Sequence, residues 1–243
     1  MNVRFKISEE RFFNNGRIIM NSMPDIETRI RRAFSREENV IVTSRKKKGV
    51  VGAKGIKANE LNKALRRVLV SENFHAETHV ENGAFVFGTK KGFDFSIFDE
   101  KYNLANIYNF YRGAKGILNG DEKIKRYYSK MRCTSKEWNK TINEMASIAP
   151  LNNDYICCKE KLTVMGELQF GNWALVYRDL FRLLNADADP GVDFYIYVAA
   201  DDNLSDLLSD NTVSYKSAES VFVENKNIIK TPTWLIGLGI DEI

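Results

Sequence analysis

Runs of apolar residues that alternate with polar ones predict a series of β-strands along the chain. Residues 164–170 are apolar almost throughout, which is typical of a buried strand. Residues 192–199 place Val192, Phe194, Ile196 and Val198 on one face of a second strand. Further strands are predicted at 3–7, 40–43, 84–87, 93–98 and 233–240.

Apolar residues that recur every three or four positions predict helices between these strands. The clearest stripe follows residues 164–170 directly, and we expect it to form the buried face of one helix; it comprises Trp173, Val176, Tyr177, Leu180, Phe181 and Leu184. Other helices are predicted at 24–34, 59–69, 103–111, 121–131, 135–148, 205–208 and 217–223. This order of elements indicates the α/β class, with a mixed central β-sheet flanked by helices.

A carboxylate and an amide lie side by side on the strand at 164–170. Side chains two residues apart in a strand point to the same face, so Glu167 and Gln169 share a face. Gly171 and Asn172 end the strand, and Asn172 has the chemistry to cap the next helix. Holding such a polar pair near a core is costly without a partner, and a divalent cation is a suitable one.

This segment resembles the core of a known enzyme family. Asp154, then Glu167-Leu168-Gln169-Phe170-Gly171-Asn172 and an aromatic-rich amphipathic helix, is similar to type II restriction endonucleases of the BglII/BstYI/BamHI group. That group belongs to the PD-(D/E)xK superfamily, and BglII and BstYI carry Glu-x-Gln in place of the usual Glu-x-Lys. The resemblance continues through 191–196 and 233–237 and is weaker over 24–69. It implies a single endonuclease domain over 1–243, with a helical elaboration at about 76–150.

The resemblance also implies a metal site. Asp154 and Glu167 would ligate Mg²⁺ together with the backbone carbonyl of Leu168, and Gln169 would replace the usual lysine near the attacking water. Phosphodiester cleavage needs a cation that neutralises developing charge and activates water, and Mg²⁺ prefers oxygen ligands. Because glutamine cannot act as a strong base, the metal would do most of the activation.

The position of the first acid departs from the family. Asp154 precedes Glu167 by 13 residues, which is longer than the spacing in BglII and BstYI, and an insertion around 157–161 would explain the difference. Glu160 is the alternative first acid, although its basic neighbours Lys159 and Lys161 are typical of a solvated turn. The non-functional alternative is a surface aspartate and a glutamate at a strand end.

Two regions are expected to contact DNA. Asn172 follows the strand where related enzymes reach base edges, and asparagine suits recognition of adenine, but a plain helix cap is an equal alternative. Residues 44–57 hold six basic side chains and no acid, which predicts a mobile basic loop. The residues expected to contact phosphates there are Arg45, Lys46, Lys47, Lys48 and Lys54, with a solvated loop as the alternative.

Glu60 and the two histidines are weaker candidates. Glu60 could support the metal site, although an acid in the first turn of a helix is also favoured by the helix dipole. His75 and His79 are the only histidines. Because a zinc site needs more ligands and a serine hydrolase needs a histidine elsewhere in its triad, both of these functions are disfavoured.

The amino-acid composition indicates the cellular compartment of the protein more clearly than its function. The chain has 36 basic and 32 acidic residues, so its net charge of +4 says little about nucleic acid by itself. Cys133, Cys157 and Cys158 lack the spacing of a disulfide framework, which favours a reducing cytoplasm, and the resemblance implies that the cell is prokaryotic. No apolar stretch approaches the length of a membrane span, so no membrane partner is expected.

Together these features predict a Mg²⁺-dependent type II restriction endonuclease that acts as a homodimer on a short palindromic site in double-stranded DNA. The alternatives are a DNA-binding module of the same fold without cleavage, and a repair-type nuclease of the same superfamily. A metal-free carboxylate hydrolase acting on glycans is a further alternative, but it leaves Gln169 and the basic loop unexplained.

Overall fold

The computed structural model describes residues 1–47, 50–88 and 92–242. Their strands are β1 (Asn2–Phe13), β2 (Glu37–Asn39), β3 (Val42–Lys47), β4 (Val50–Ile56), β5 (His75–Glu81), β6 (Ala84–Phe87), β7 (Phe93–Ile97), β8 (Val164–Gln169), β9 (Phe194–Ala200) and β10 (Thr233–Glu242). The helices are α1 (Gly16–Asn21), α2 (Pro24–Ala33), α3 (Ala58–Ser71), α4 (Glu100–Arg112), α5 (Gly120–Lys125), α6 (Ser135–Ile148), α7 (Leu175–Ala188), α8 (Asp202–Leu207) and α9 (Tyr215–Glu224).

Eight strands form one large mixed sheet in the order β2-β1-β10-β9-β8-β7-β5-β6. The three strands β8, β9 and β10 are parallel, and the other neighbours are antiparallel. Parallel neighbours need crossover connections, which α7 provides between β8 and β9, and α8 and α9 provide between β9 and β10. The predicted α/β class with a mixed sheet flanked by helices is therefore confirmed.

The large sheet is covered on both faces. Val164, Leu168 and Phe194 pack on one face in a cluster that includes the apolar stripe of α3. Met165 and Tyr195 pack on the other face against α7 and α9. Every residue of β8 and β9 is consequently buried, as expected for strands with helices on either side.

The predicted mobile loop at 44–57 is wrong in its conformation. It is largely a two-stranded antiparallel ribbon, in which Val42 pairs with Ile56 and Ser44 pairs with Lys54. Backbone pairing satisfies the peptide groups of a ribbon whatever its side chains are, so basic and glycine-rich composition did not exclude strands. Lys48 and the side chains of residues 45–47 lie outside the described part of the chain.

The three helices α4, α5 and α6 form a layer with a core of its own, built around Tyr108, Tyr127 and Trp138. This layer packs on β6 at the edge of the large sheet. The strands β5, β6 and β7, which the sequence grouped with the elaboration, belong to the large sheet instead. No helix in the described ranges is long and apolar enough to cross a membrane.

The buried face of α7 differs from the predicted one. Trp173 just before it is 53% exposed, and Tyr177 and Phe181 on it are 37% and 67% exposed. The helix buries Val176 and Leu180 as predicted, and it also buries Leu183 and Asp179, which the predicted stripe did not contain. The reason lies in β8, because Glu167 and Gln169 bond polar partners from α7, and this turns a polar position of the helix toward the sheet.

Candidate active site

The backbone pairing between β7 and β8 stops beside a buried aspartate. Phe95 pairs with Gly166, and the same register places Asp94 opposite Glu167. In place of a further backbone pair, Oδ2 of Asp94 accepts a hydrogen bond of 2.8 Å from the backbone N–H of Leu168. Asp94 therefore lies where the regular ladder between the two strands ends, directly beside the Glu-x-Gln segment.

A second acid faces Asp94 from its other neighbouring strand. Ala76 of β5 pairs with Phe95 and Thr78 pairs with Phe93, so Glu77 stands opposite Asp94. The φ angle of Glu77 is +57°, a conformation that is uncommon for residues other than glycine and that clusters at functional sites. The register thus brings acids of β5, β7 and β8 to one level of the sheet.

Two arginines hold these acids. Arg66 of α3 donates from Nε to Oδ1 of Asp94 at 3.0 Å, and from Nη1 to Oε1 of Glu77 at 2.7 Å. Arg182 of α7 donates from Nη1 to Oε2 of Glu167 at 2.8 Å. Buried carboxylates require such partners, so helices on both faces of the sheet contribute cations to the site.

Glu167 is the most perturbed acid of this group and is only 5% exposed. Burial and the negative charges of Asp94 and Asp179 raise its pKa well above the usual range, and Arg182 opposes this shift without cancelling it. Carboxylates in excess over cations in a buried site attract a further cation. The oxygen donors of Asp94 and Glu167 fit Mg²⁺, although no three acids, histidines or cysteines of residues 1–47, 50–88 and 92–242 form a ready-made metal cluster.

Gln169 is held at both ends of its amide. Its Nε2 donates to Oδ2 of Asp179, and its Oε1 accepts a hydrogen bond of 2.9 Å from the backbone N–H of Gly171. Like Glu167, it is almost completely buried and it points to the side of the sheet covered by α7. The prediction that Glu167 and Gln169 share one face therefore agrees with the structure, whereas their catalytic roles remain a prediction.

The structure does not bring Asp154 to Glu167. Asp154 is exposed, and its Oδ1 accepts a hydrogen bond of 2.9 Å from the backbone N–H of Ala114, next to the end of α4. Glu160 is also exposed, and its backbone N–H donates to Asp99. The structure places Asp94, which precedes Glu167 by 73 residues in the chain, beside Glu167, and the identity of the first metal-binding acid stays a prediction.

Asn172 closes a turn ahead of α7 and does not cap the helix, whose N-cap residue is Ala174. Its Oδ1 accepts a hydrogen bond of 2.9 Å from the backbone N–H of Ala174, in the turn that leads into α7. The side chain is exposed, so its amide group also borders solvent near the Glu-x-Gln segment. The base-reading role stays a prediction, and the predicted helix start is shifted because α7 begins at Leu175.

Two of the remaining sequence candidates, Glu60 and Lys54, pair with residues outside the acid cluster. Glu60 pairs with Lys63 at 2.9 Å in the first turns of α3. Lys54 pairs with Glu242 at 2.6 Å, and the side chains of Arg45, Lys46 and Lys47 are outside the described part, as is Lys48. His75 and His79 both lie on β5.

The residues that sequence reasoning missed are Asp94, Glu77, Arg66, Asp179 and Arg182. The sequence contained a signal for Asp94 and Asp179, because each is a charged residue inside an otherwise apolar pattern. Asp94 interrupts the apolar run of β7, and Asp179 lies on the buried face of α7. Buried acids are rare unless they are paired or functional, so such positions deserve a functional hypothesis even without a motif.

The comparisons with known proteins identify the family and agree with the fold. The family model described as restriction endonuclease BglII/BglIII matches residues 8–238. No curated protein matches the sequence. The crystal structure of restriction endonuclease BglII complexed with a DNA 16-mer superimposes with a TM-score of 0.51 at 12% identity, over 96% of this chain and 78% of that one. Free BglII superimposes with a TM-score of 0.46 at 11% identity, over 96% and 79%.

At 12% identity the DNA complex of BglII supports the fold alone, whereas the family model spans almost the whole chain. The resemblance identified from the Glu-x-Gln segment is thereby confirmed, together with sequence-specific DNA cleavage as the activity. The chain belongs to the BglII/BglIII family of restriction endonucleases and is a type II site-specific deoxyribonuclease.

Proposed function

We propose that this restriction endonuclease requires Mg²⁺ and cuts both strands of a short palindromic site in double-stranded DNA as a homodimer. The observation that carries the proposal is the position of Asp94, opposite Glu167 and bonded to the backbone of Leu168. A Glu-x-Gln motif alone provides one acid, and Asp94 provides the second acid beside it. The solved structure of BglII with a DNA 16-mer supports a duplex as the substrate.

In this proposal Asp94 and Glu167 hold the metal with the backbone carbonyl of Leu168, and Glu77 supports Asp94 from β5. Bound Mg²⁺ supplies Lewis-acid stabilisation of the phosphate and lowers the pKa of a coordinated water. Arg66 and Arg182, which hold the same carboxylates, keep the buried acids paired when no metal is bound. Gln169 acts as a hydrogen-bond donor rather than a base, because a neutral amide cannot take up a proton at ordinary pH.

The homodimer follows from the chemistry of a palindrome. Two cuts related by two-fold symmetry require two identical active sites at a fixed distance. The exposed aromatic stripe is formed by Trp173, just before α7, and by Tyr177 and Phe181 on α7, which is the helix that follows the Glu-x-Gln strand. A second copy packed on this stripe would cover exposed aromatic surface and set the spacing of the two active sites.

We place the enzyme in the prokaryotic cytoplasm. Its three cysteines, Cys133, Cys157 and Cys158, are free thiols in the structure. Free thiols are usual where the compartment is reducing.

Digestion of a plasmid of known sequence tests the proposal. We expect discrete fragments with Mg²⁺ and none with EDTA, and sequencing of the fragment ends should give one palindromic site. Asp94→Asn is the inactive control, and Asp154→Asn is the matched active control. A smear instead of bands, or undiminished cleavage in EDTA, would contradict the proposal.

A further inference from the structure

Gln169 has one amide orientation that satisfies its neighbours. A carboxylate can only accept, so Nε2 must face Asp179, and a backbone N–H can only donate, so Oε1 must face Gly171. The opposite orientation would place two acceptors together and two donors together. Asp179 engages one of the two N–H groups of Nε2, which leaves the second N–H for another acceptor.

Asp179 itself is fully buried, at 0% exposure on α7. Its Oδ1 accepts from Nη2 of Arg178 at 3.0 Å and lies 3.5 Å from Nη2 of Arg182, while Oδ2 receives Gln169 and lies 3.5 Å from the hydroxyl of Tyr197. A buried carboxylate with several donors is held in one rotamer. The side chain that orients Gln169 is therefore itself rigid.

Asp179 also reaches Glu167 through a shared partner. Arg182 donates to Glu167 at 2.8 Å and stands 3.5 Å from Asp179. One aspartate on α7 thus connects to both polar residues of the Glu-x-Gln segment, directly to Gln169 and through an arginine to Glu167. No bound metal is needed to explain why Asp179 is buried, because hydrogen-bond donors already satisfy both oxygens of its carboxylate.

We propose that Asp179 is a positioning residue that fixes the amide of Gln169 so that its second N–H points to the reacting phosphate or water. Rotation about the terminal bond of glutamine exchanges the positions of its acceptor oxygen and its donor nitrogen. The ammonium group of the lysine that usually fills this position carries donors only, so its rotation exchanges nothing. A Glu-x-Gln site therefore needs an orienting acceptor that a Glu-x-Lys site does not need. This inference rests on the proposed function of Glu167 and Gln169.

The orientation can be measured without any variant of Asp179, because Gln169 is the only glutamine in the chain. Labelling the protein with side-chain ¹⁵N-glutamine gives one pair of amide proton signals, which Gln169→Ala identifies by their loss. We expect two well-separated signals, one of them protected from solvent exchange by its bond to buried Asp179. Two rapidly exchanging signals with the shifts of free glutamine would overturn the proposal.

Kinetics separate positioning from mere stability. Asp179→Asn is expected to lower the single-turnover cleavage rate by about 10²-fold, as misplacement of a catalytic group does, and to leave DNA affinity in Ca²⁺ within about threefold of wild type. Tyr197→Phe is the matched control, since it removes a neighbouring donor to the same carboxylate and leaves Gln169 in place. Its cleavage rate should remain close to that of the wild type.

A double-mutant cycle shows whether Asp179 acts through Gln169. In a Gln169→Ala background, Asp179→Asn should change the rate by only about twofold, because the group that it orients is already absent. A full additional loss in that background would overturn the proposal, as would equal losses for Asp179→Asn and Tyr197→Phe. Failure of the wild-type protein to cut DNA would refute the proposed function instead, and the amide signals would remain interpretable.

Discussion

Asp94 lies opposite Glu167 across the end of the β7–β8 ladder, and its carboxylate accepts the backbone N–H of Leu168 at 2.8 Å. The two acids are 73 positions apart in the chain, yet one side chain-to-backbone bond places them together. This bond also explains why β8 can end its pairing with β7 without a lost donor at Leu168. The paired acids are the basis of the first two predictions.

Asp94→Asn is expected to lower the cleavage rate by at least about 10²–10³-fold, because it removes one of two charges that stabilise the bound cation. Asp154→Asn is the matched control, since an amide oxygen can still accept from Ala114 and the residue is exposed. The measurement is single-turnover plasmid cleavage in Mg²⁺. Loss of activity in Asp154→Asn with normal activity in Asp94→Asn would reverse the assignment.

Glu167 should make the metal-free protein less stable as the pH rises. Its pKa in the folded state lies above the usual 4.5, so above that pH the folded state binds more protons than the unfolded chain, and the free energy of unfolding falls. A tenfold change in the proton affinity of one group is worth about 1.4 kcal/mol. Glu167→Gln removes the ionisable group, so this fall in the free energy of unfolding with pH should disappear, and cleavage should be abolished.

The comparison is made by thermal unfolding of both proteins in EDTA between about pH 5 and pH 8. We expect the unfolding temperature of the wild type to fall relative to that of Glu167→Gln across this interval, and Mg²⁺ to restore the wild type at the upper end. If the unfolding temperatures of the two proteins change with pH in parallel, ionisation of Glu167 does not destabilise the folded state.

Replacement of Lys46, Lys47 and Lys48 by glutamine should weaken binding to all duplexes by a similar factor, because phosphate contacts carry no sequence information. The slope of log affinity against log salt should decrease by about one for each lost contact. A triple variant of the exposed Lys216, Lys226 and Lys230 is the charge-matched control. Equal salt slopes in both variants and the wild type would place the ribbon away from DNA.

Asn172→Asp should affect sequence choice rather than stability. The aspartate can still accept the N–H of Ala174 in the turn before α7, so the unfolding temperature should barely change. It loses the amide donor, which costs about 1–3 kcal/mol of discrimination for one bidentate base contact. Binding to cognate and non-cognate duplexes in Ca²⁺ measures the effect, and an unchanged preference would leave Asn172 with its role in the turn only.

Phe181→Arg should dissociate the dimer, because it places a charge in the exposed aromatic stripe of α7. Phe181 is 67% exposed, so the monomer should keep its stability. Ile18→Arg on α1, at a residue of similar exposure, is the control. Analytical ultracentrifugation would then show a monomer for Phe181→Arg and the wild-type mass for Ile18→Arg, while two identical masses would move the interface elsewhere.

Local pattern was sufficient for several features of this protein. The apolar run before Gly171 predicted β8, and the period of two predicted that Glu167 and Gln169 face the same way. These properties depend on residues adjacent in the chain, so they can be read from it directly. The same run of residues carried the family resemblance, and with it the class of reaction.

Only the tertiary structure decided which residues complete the site. Asp94, Glu77 and Arg66 come from β7, β5 and α3, and strand order and register bring them to Glu167. An aspartate near the motif in sequence, Asp154, was therefore a poor guide to the acid beside it in space. The face of α7 was decided in the same way, because Gln169 and Glu167 draw Asp179 and Arg182 inward and leave Trp173 and Phe181 in solvent. Pairing between distant strands and helices depends on packing free energy summed over the whole core, which no local pattern contains.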